Sequence, residues 1–305
     1  MPRVLALVGA TATGKSALAL RLGEAVGAEI VNADALQVYR GVDIGTAKPS
    51  ATDRARVPHH LIDLLEPSEP FSAGEFARRA RAALAEIEGR GRAALVVGGS
   101  GLYLRALTGG LAPLPPPDPE LRAGLERRRA AHGLAPLRAE LERLDPATAA
   151  RLKAGDTQRT LRALEVVLAT GRPLSSWLAA PEVGAREPLA LRKVGLTLPR
   201  ALLYDRIESR VAQMVTRGWL DEVRVLLASG VRAGCPAFRA IGYAQWVRHL
   251  AGELAYEDAL RAIMTATRRY AKRQETWYRR ETDVEWLGPQ EVEANLPALT
   301  RWLRG

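Results

Sequence analysis

Eight residues near the start of the sequence have the types and spacing of a loop that binds phosphates. They fit the pattern G-x-x-x-x-G-K-S and are Gly9, Ala10, Thr11, Ala12, Thr13, Gly14, Lys15 and Ser16. In such loops the backbone amides and the lysine contact the phosphates, and the serine hydroxyl binds Mg²⁺. We therefore expect all eight to bind a diphosphate or a nucleotide such as ATP, with Ser16 as the metal contact.

A carboxylate follows the second predicted strand, which covers residues 28–32. In an open parallel sheet the carboxyl ends of the strands lie along one edge, so Asp34 is expected close to Lys15 and Ser16. There it could accept a proton from a substrate. From the spacing alone, a helix N-cap or an outer contact to Mg²⁺ explains Asp34 equally well.

Another predicted strand, residues 93–97, ends in Gly98, Gly99 and Ser100. Many nucleoside triphosphatases with this loop place an aspartate here to help hold Mg²⁺. Glycines instead let a flat or bulky group approach the backbone, and Ser100 adds a hydroxyl. The missing aspartate argues against hydrolysis of a nucleotide.

These residues need a sheet to position them. The apolar run before Gly9 and the segments 28–32, 60–65, 93–97 and 191–198 read as strands, with helical patterns between them. We predict an α/β fold, with a P-loop NTPase-like parallel sheet and helices on both faces. A proline-dense stretch at 113–119 introduces a helical insertion. The predicted domains are the core, 1–117 and 185–305, and the insertion, 118–184.

Composition limits the class of protein. The net charge is +10 and the sequence pI is about 10.2, which suits an anionic partner such as nucleic acid, while a solvated basic surface is the alternative explanation. With one cysteine, Cys235, an intramolecular disulfide is excluded, as expected in a reducing cytoplasm. No apolar run reaches 18 residues, so we expect neither a membrane span nor a signal peptide.

A basic helix is predicted near the end of the chain. Residues 261–280 hold seven lysines and arginines against Glu275, interleaved with aromatic residues that include Trp277. Arginines beside aromatics suit phosphate contacts and base stacking. An amphipathic surface helix with Trp277 in the core is an equally good interpretation.

Taken together, seven motifs in order make the chain resemble the tRNA dimethylallyltransferases, also called tRNA isopentenyltransferases, of the bacterial type without a C-terminal zinc finger. The motifs are the phosphate-binding loop and the segments 34–41, 43–49, 97–103, 158–165, 240–243 and 272–277. The loop is generic, whereas Asp-Ile-Gly-Thr-Ala-Lys-Pro at 43–49 and Gly-Gly-Ser-Gly-Leu-Tyr at 98–103 are much more specific. The resemblance covers nearly the whole chain.

The resemblance implies transfer of a dimethylallyl group from dimethylallyl diphosphate to N6 of adenosine 37 of tRNA, next to the anticodon. Asp34 would be the base, Ser100 would contact the target nucleotide, and Mg²⁺ would be the cofactor. One arginine among Arg206, Arg210 and Arg217 would assist the diphosphate, and we select Arg210. The insertion would clasp the anticodon stem of a tRNA bound to a monomer.

The resemblance also implies a set of tRNA contacts. They are Asp34, Ala35, Leu36, Gln37, Ser100, Arg122, Gln158, Arg159, Thr160, Leu161, Arg162, Arg239, Gly242, Tyr243, Lys272, Arg273, Gln274, Trp277 and Arg279. Two residues depart from the family's pattern: Ala35 replaces the usual serine, and Ala244 replaces a basic or polar residue. Each puts one contact in doubt.

Parts of the sequence are compatible with two other functions. The phosphate-binding loop in an α/β core would also suit a small-molecule or nucleoside kinase, which would consume ATP without a prenyl donor. The basic helix would suit a non-catalytic RNA-binding protein, which would bind tRNA and form no product. The number and order of the motifs favour the transferase.

Overall fold

The computed structural model describes residues 3–109, 111–112, 114–179, 189 and 191–305. The strands are β1 (Val4–Gly9), β2 (Glu29–Asn32), β3 (His59–His60), β4 (Ala94–Val97), β5 (Leu191–Leu196) and β6 (Val284–Leu287). They pair in parallel in the order β3-β2-β4-β1-β5-β6. The predicted parallel α/β sheet is confirmed, and β1 lies inside it between β4 and β5.

Helices connect and cover the strands. They are α1 (Lys15–Val26), α2 (Ala51–Arg56), α3 (Ala73–Gly89), α4 (Gly101–Thr108), α5 (Pro119–His132), α6 (Ala135–Leu144), α7 (Pro146–Arg151), α8 (Thr157–Thr170), α9 (Leu174–Ala179), α10 (Arg200–Thr216), α11 (Trp219–Ala228), α12 (Tyr243–Leu250), α13 (Tyr256–Tyr278) and α14 (Pro289–Arg304). Within the described part of the chain, none of them is long and apolar enough to cross a membrane.

The side chains of β1 point alternately to the two faces of the sheet and are apolar on both, which explains why helices cover both faces. Successive side chains of a strand point to opposite faces. Val4, Ala6 and Val8 pack in one cluster with side chains of α3 and α4, whereas Leu5 and Leu7 pack in another with side chains of α1 and α14. Both faces are apolar, as expected for a parallel strand buried on both sides.

The predicted strand at 60–65 is wrong in its extent. Only His59 and His60 pair with β2. Leu61 and Asp63 have φ angles of 61° and 53°, in the left-handed region, so the chain leaves the extended conformation there. Leu65 returns only as an isolated bridge to Tyr39.

The chain divides into two compact units, Met1–Gly109 with Pro188–Gly305, and Gly110–Glu187. The first unit holds the sheet. The second holds α5 to α9 around a core that includes Leu125, Leu141 and Leu164. The predicted domain boundary at 184/185 lies outside the described residues, so the domain limits given above remain a prediction.

Candidate active site

The phosphate-binding loop has a backbone that its glycines permit. Gly9 has a φ of 130°, and a Cβ there would lie 2.5 Å from the Leu196 carbonyl oxygen on β5. Gly14 has a φ of 99° and immediately precedes α1. Ala12, with a φ of 65°, takes the left-handed conformation without being glycine. The loop thus turns from β1 into the N-terminus of α1, where unpaired amides favour anions.

Lys15 is turned toward this loop. Its Nζ donates to the carbonyl oxygens of Gly9, at 3.0 Å, and Ala10, at 2.5 Å. Burial, and to a lesser extent the nearby Arg210 cation, lowers the pKa of Lys15 to about 7, while Asp34 acts in the opposite direction. A phosphate bound nearby would stabilise the charged form of Lys15 and raise its pKa.

Asp34 lies just after β2 and is fixed by short-range bonds. Its amide donates to Asn32 Oδ1 at 3.1 Å, and its Oδ1 accepts from the Leu36 amide at 2.9 Å. The second bond closes a local turn. Residues 35–38 form bends and turns and no helix begins there, so the helix N-cap interpretation is wrong. Burial raises the pKa of Asp34, and Arg210 and Lys15 partly offset that effect. A carboxylate with a raised pKa is a stronger proton acceptor.

The loop and Asp34 border one cavity of about 460 Å³ in the first unit. Its lining residues are Thr11, Ala12, Gly14, Lys15, Ser16, Ala17, Ala19, Ile30, Asn32, Asp34, Gln37, Ala47, Pro49, His59, Val97, Gly98, Gly99, Arg206, Ser209, Arg210, Gln213, Tyr270 and Gln274. The structure therefore brings together five of the eight predicted phosphate-binding residues, the predicted base and the selected arginine, whereas Gly9, Ala10 and Thr13 are not among the lining residues.

The three candidate arginines separate by position. Arg206 and Arg210, one turn apart on α10, both line the cavity, and Arg206 Nη1 is 3.9 Å from the position of a Cβ on Gly14. Burial lowers the pKa of Arg210, which interacts with the Asp34 charge. Arg217 is the exposed residue that ends α10 and lies outside the cavity lining.

The glycines after β4 make room for the chain's own side chains. A Cβ on Gly98 would lie 2.3 Å from the Ala33 carbonyl oxygen, and one on Gly99 would lie 1.9 Å from Gln274 Nε2. A Cβ on Gly101 would lie 2.0 Å from Trp277 Nε1. Ser100 begins α4, and its hydroxyl makes no capping bond to the described amides of that helix. The neighbour of Gly99 and Gly101 is therefore α13, and that of Gly98 is Ala33, which follows β2.

The segment 43–49 is held by α11 and α12. Glu222 accepts the amides of Asp43 and Ile44, and the Tyr243 hydroxyl accepts the Gly45 amide at 3.1 Å. The buried Lys48 Nζ binds the Tyr39 carbonyl and the carboxylates of Asp43 and Asp63. This frame places Ala47 and Pro49 in the cavity lining.

Gln37 supports the same segment from the other side of the loop. Its Nε2 donates to the carbonyl oxygens of Thr46, at 3.1 Å, and Ala47, at 3.3 Å. Gln37 also lines the cavity, and Ala35 and Leu36 are half-buried beside it. The predicted contact segment 34–37 therefore borders the cavity at both of its ends.

Helix α13 combines the two interpretations given to it. Lys272, Arg273 and Arg279 are exposed, whereas Gln274 is buried and Trp277 packs against the core. The outer face is basic, and the inner face is structural.

The predicted tRNA contacts around α12 differ in exposure. Arg239 is exposed. Tyr243 is fully buried, and a Cβ on Gly242 would lie 1.9 Å from Trp219. These two residues have no side-chain surface to offer an RNA, because they are packed under Trp219.

The remaining predicted contacts lie in the second unit. Gln158 and Arg159 are exposed at the start of α8, whereas Thr160 and Leu161 are fully buried and face its core. Arg162 Nη1 is 2.7 Å from the buried carboxylate of Glu165, and Arg122 Nη1 is 3.8 Å from the same carboxylate. The buried side chains of Thr160 and Leu161 are thus unsuited to direct contact with RNA.

Some residues of the site escaped the sequence analysis. Arg206 was named only as one of three arginines, and Tyr270 was one of the aromatic residues of the basic helix that were not singled out. Glu222, which fixes the segment 43–49, carried no signal, because a single acid at the start of a helix is common. The spacing of four between Arg206 and Arg210 was a usable signal for a shared face.

The residues present fit a magnesium ion that is bound chiefly by a substrate. The described residues hold no cluster of three histidine, cysteine, aspartate or glutamate side chains suited to a metal. Mg²⁺ commonly uses one or two protein oxygens together with substrate phosphates and water. Ser16, at the start of α1 in the cavity lining, can supply one such oxygen.

Comparison with known proteins agrees with this geometry. The model of the family described as IPP transferase matches residues 37–281, and that described as isopentenyl transferase matches residues 2–64. The tRNA dimethylallyltransferase of Geobacter metallireducens is 49% identical over 93% of this chain and 92% of its own length. The tRNA dimethylallyltransferase 1 of Citrifermentans bemidjiense is 50% identical over the same shares.

Solved structures agree as well. The full-length tRNA isopentenylpyrophosphate transferase of Bacillus halodurans has a TM-score of 0.71 and 35% identity, covering 99% of this chain and 97% of that one. A eukaryotic dimethylallyltransferase acting on tRNA has a TM-score of 0.76 and 25% identity, covering 94% of this chain and 74% of that one. The chain belongs to the IPP transferase family.

Proposed function

We propose that this chain transfers a dimethylallyl group from dimethylallyl diphosphate to N6 of adenosine 37 of tRNA. The observation that carries the proposal is that Asp34, Lys15 and Arg210 line the same cavity and interact electrostatically beside the phosphate-binding loop. One carboxylate and two cations are what a transfer to a weak nitrogen nucleophile with a diphosphate leaving group needs.

The reaction balances with these groups. The N6 nitrogen forms a bond to the allylic carbon, the bond from that carbon to the diphosphate oxygen breaks, and the N6 proton passes to Asp34. The lone pair of N6 is delocalised into the ring, so proton removal by Asp34 assists the attack. Negative charge gathers on the leaving oxygens, where Lys15, Arg210 and the loop amides stabilise it.

Mg²⁺ is proposed as the cofactor, with Ser16 as its protein ligand and the diphosphate oxygens as its other partners. When bound, it would neutralise charge on the leaving group. Ser100, which immediately precedes α4 and follows the cavity-lining Gly99, is proposed to contact the target nucleotide. The kinase alternative lacks support, since the similar proteins are transferases of a prenyl group.

The proposed RNA surface consists of exposed cations and polar groups. On the first unit these are Arg239, Lys272, Arg273 and Arg279, and on the second they are Gln158 and Arg159. We propose that the second unit contacts the anticodon stem. We also propose that the protein acts as a monomer in the cytoplasm, where tRNA is present.

The direct test incubates purified protein with a tRNA transcript, dimethylallyl diphosphate and Mg²⁺, followed by mass spectrometry of the nucleosides. We expect N6-dimethylallyladenosine in a transcript with adenosine at position 37 and none when that position is guanosine. ATP replaces the prenyl donor in a parallel reaction. Consumption of ATP without prenylated product would contradict the proposal and favour a kinase.

A further inference from the structure

The side chain of Gln274 joins two segments of the cavity wall. Its Oε1 accepts the Thr11 amide of the phosphate-binding loop at 2.8 Å, and its Nε2 donates to the Gly99 carbonyl oxygen at 3.0 Å. Gln274 is 6% exposed and also lines the cavity. One amide group therefore ties α13 to the ends of both β1 and β4.

The chemistry of the partners fixes the orientation of this amide. The Thr11 N–H can only donate and the Gly99 carbonyl can only accept, so oxygen must face Thr11 and nitrogen must face Gly99. Glutamate could replace the first bond but would place an acceptor against the Gly99 carbonyl. Only a carboxamide of this length satisfies both groups.

Gly99, which has no side chain, leaves the space that the Gln274 amide occupies. A Cβ there would lie 1.9 Å from Gln274 Nε2, so any other residue would displace the amide. One turn along α13, Trp277 occupies the equivalent space beside Gly101, and the Arg105 guanidinium lies over its ring. The inner face of α13 thus packs against Gly99 and Gly101, two glycines of the segment 98–103.

The phosphate-binding loop needs such support. Ala12 has a φ of 65°, which costs free energy for a residue with a side chain. The hydrogen bond from the Thr11 amide to Gln274 fixes Thr11, the residue just before Ala12. Because the loop is already ordered, phosphate binding to its remaining amides does not have to offset the entropy lost on ordering them.

We propose that Gln274 is a positioning residue for diphosphate binding, acting through the phosphate-binding loop rather than by touching RNA. This rests on the proposed function only in identifying the diphosphate as that of a prenyl donor. It replaces the earlier expectation that Gln274 contacts tRNA, because the buried carboxamide is already bonded to Thr11 and Gly99 and also interacts with the Tyr270 side chain.

The test compares Gln274→Met, which keeps the volume and loses both bonds, with Arg273→Ala, its exposed neighbour on α13. Binding of inorganic diphosphate is measured by calorimetry, and KM is measured separately for dimethylallyl diphosphate and for tRNA. In Gln274→Met we expect the diphosphate Kd and the KM for the prenyl donor to rise about tenfold, as for an unsatisfied buried N–H. The KM for tRNA should change less than about twofold.

Arg273→Ala should give the opposite pattern, with a higher KM for tRNA and unchanged diphosphate binding. A raised KM for tRNA with unchanged diphosphate affinity in Gln274→Met would overturn the inference, as would no change in either. Gly99→Ala provides an independent route if Gln274→Met does not fold: by displacing the amide, it should weaken diphosphate binding to a similar degree. Unchanged diphosphate affinity in a folded Gly99→Ala would also overturn it.

Diphosphate binding separates this inference from the proposed function. If the wild-type protein binds diphosphate but prenylates no tRNA, the proposed function fails while the role of Gln274 can still be measured. If it prenylates tRNA and Gln274→Met binds diphosphate normally, only the inference fails.

Discussion

The Lys15 ammonium donates to the Ala10 carbonyl oxygen across 2.5 Å, so the cation of the phosphate-binding loop is bonded to the loop's own backbone. Its pKa is lowered to about 7 by burial and by Arg210. Above that pH the side chain is largely neutral, whereas an adjacent diphosphate would favour its charged form.

We therefore expect diphosphate binding at pH 8 to take up as much as one proton through Lys15. Calorimetric titration in two buffers of different ionisation enthalpy measures the number of protons. Lys15→Arg is the matched control, since its guanidinium stays charged and takes up none, while protonation of the diphosphate itself is common to both. Equal proton uptake by the two proteins would show that Lys15 is already charged.

Asp34→Asn should lower kcat by about a hundredfold to ten-thousandfold, because the carboxamide cannot accept the N6 proton. Diphosphate affinity should be unchanged or higher, since a negative charge leaves the cavity. Single-turnover transfer and diphosphate titration measure the two effects. Loss of diphosphate binding together with activity would assign Asp34 to the fold of the site instead of to proton transfer.

The pH profile gives a second view of Asp34. Its raised pKa means that the base is still protonated, and so inactive, at a pH where an ordinary aspartate is ionised. Activity should rise with pH through a midpoint above the ordinary aspartate value of 3.8. Single-turnover rates across the acid range test this, and a profile that stays flat down to that value would contradict the assignment.

The arginines of α10 make a graded set. Arg210→Ala and Arg206→Ala should each raise the KM for dimethylallyl diphosphate on the order of tenfold to a hundredfold, the usual size of a lost charge-assisted hydrogen bond. Arg217→Ala removes the same charge from an exposed position outside the cavity lining and serves as the control. Similar effects from all three would indicate a general loss of positive potential.

Trp219 packs where side chains at Gly45 and Gly242 would otherwise be, and a Cβ on Gly45 would lie 2.0 Å from its Nε1. Gly45→Ala should therefore destabilise the protein by about 1–3 kcal/mol, as overpacking does. Urea unfolding measures the change. Gly89→Ala is the control, because its Cβ would meet open space at the end of α3, and we expect it to leave stability unchanged or slightly higher. Equal effects would argue against a packing cause.

Sequence patterns were sufficient for the frame of the site. A phosphate-binding edge of a parallel sheet is predicted from three local features. These are the apolar run before Gly9, the glycines and lysine of the loop, and the position of Asp34 after a strand. That edge exists because β1, β2 and β4 all end there, and alternation along β1 requires helices on both sides. Local chemistry determines such features, so one sequence can reveal them.

Other features depend on contacts between distant segments. Gly98 and Gly99 predict room for a flat or bulky group, and the space beside them is filled by Ala33 and Gln274 of the chain itself. No local pattern states which partner a glycine makes room for. The same holds for Glu222, whose carboxylate holds amides about 180 residues away in the chain. Such pairings need coordinates.

The order of the strands has a consequence for synthesis of the protein. Strand β1 pairs with β4 and β5, and β5 begins only at Leu191. The bond to Thr11 must wait longer still, for residue 274. A nascent chain leaving the ribosome therefore carries the phosphate-binding motif long before it can hold that motif in shape. We therefore expect the capacity to bind substrate to be acquired only after residue 274 has been synthesised.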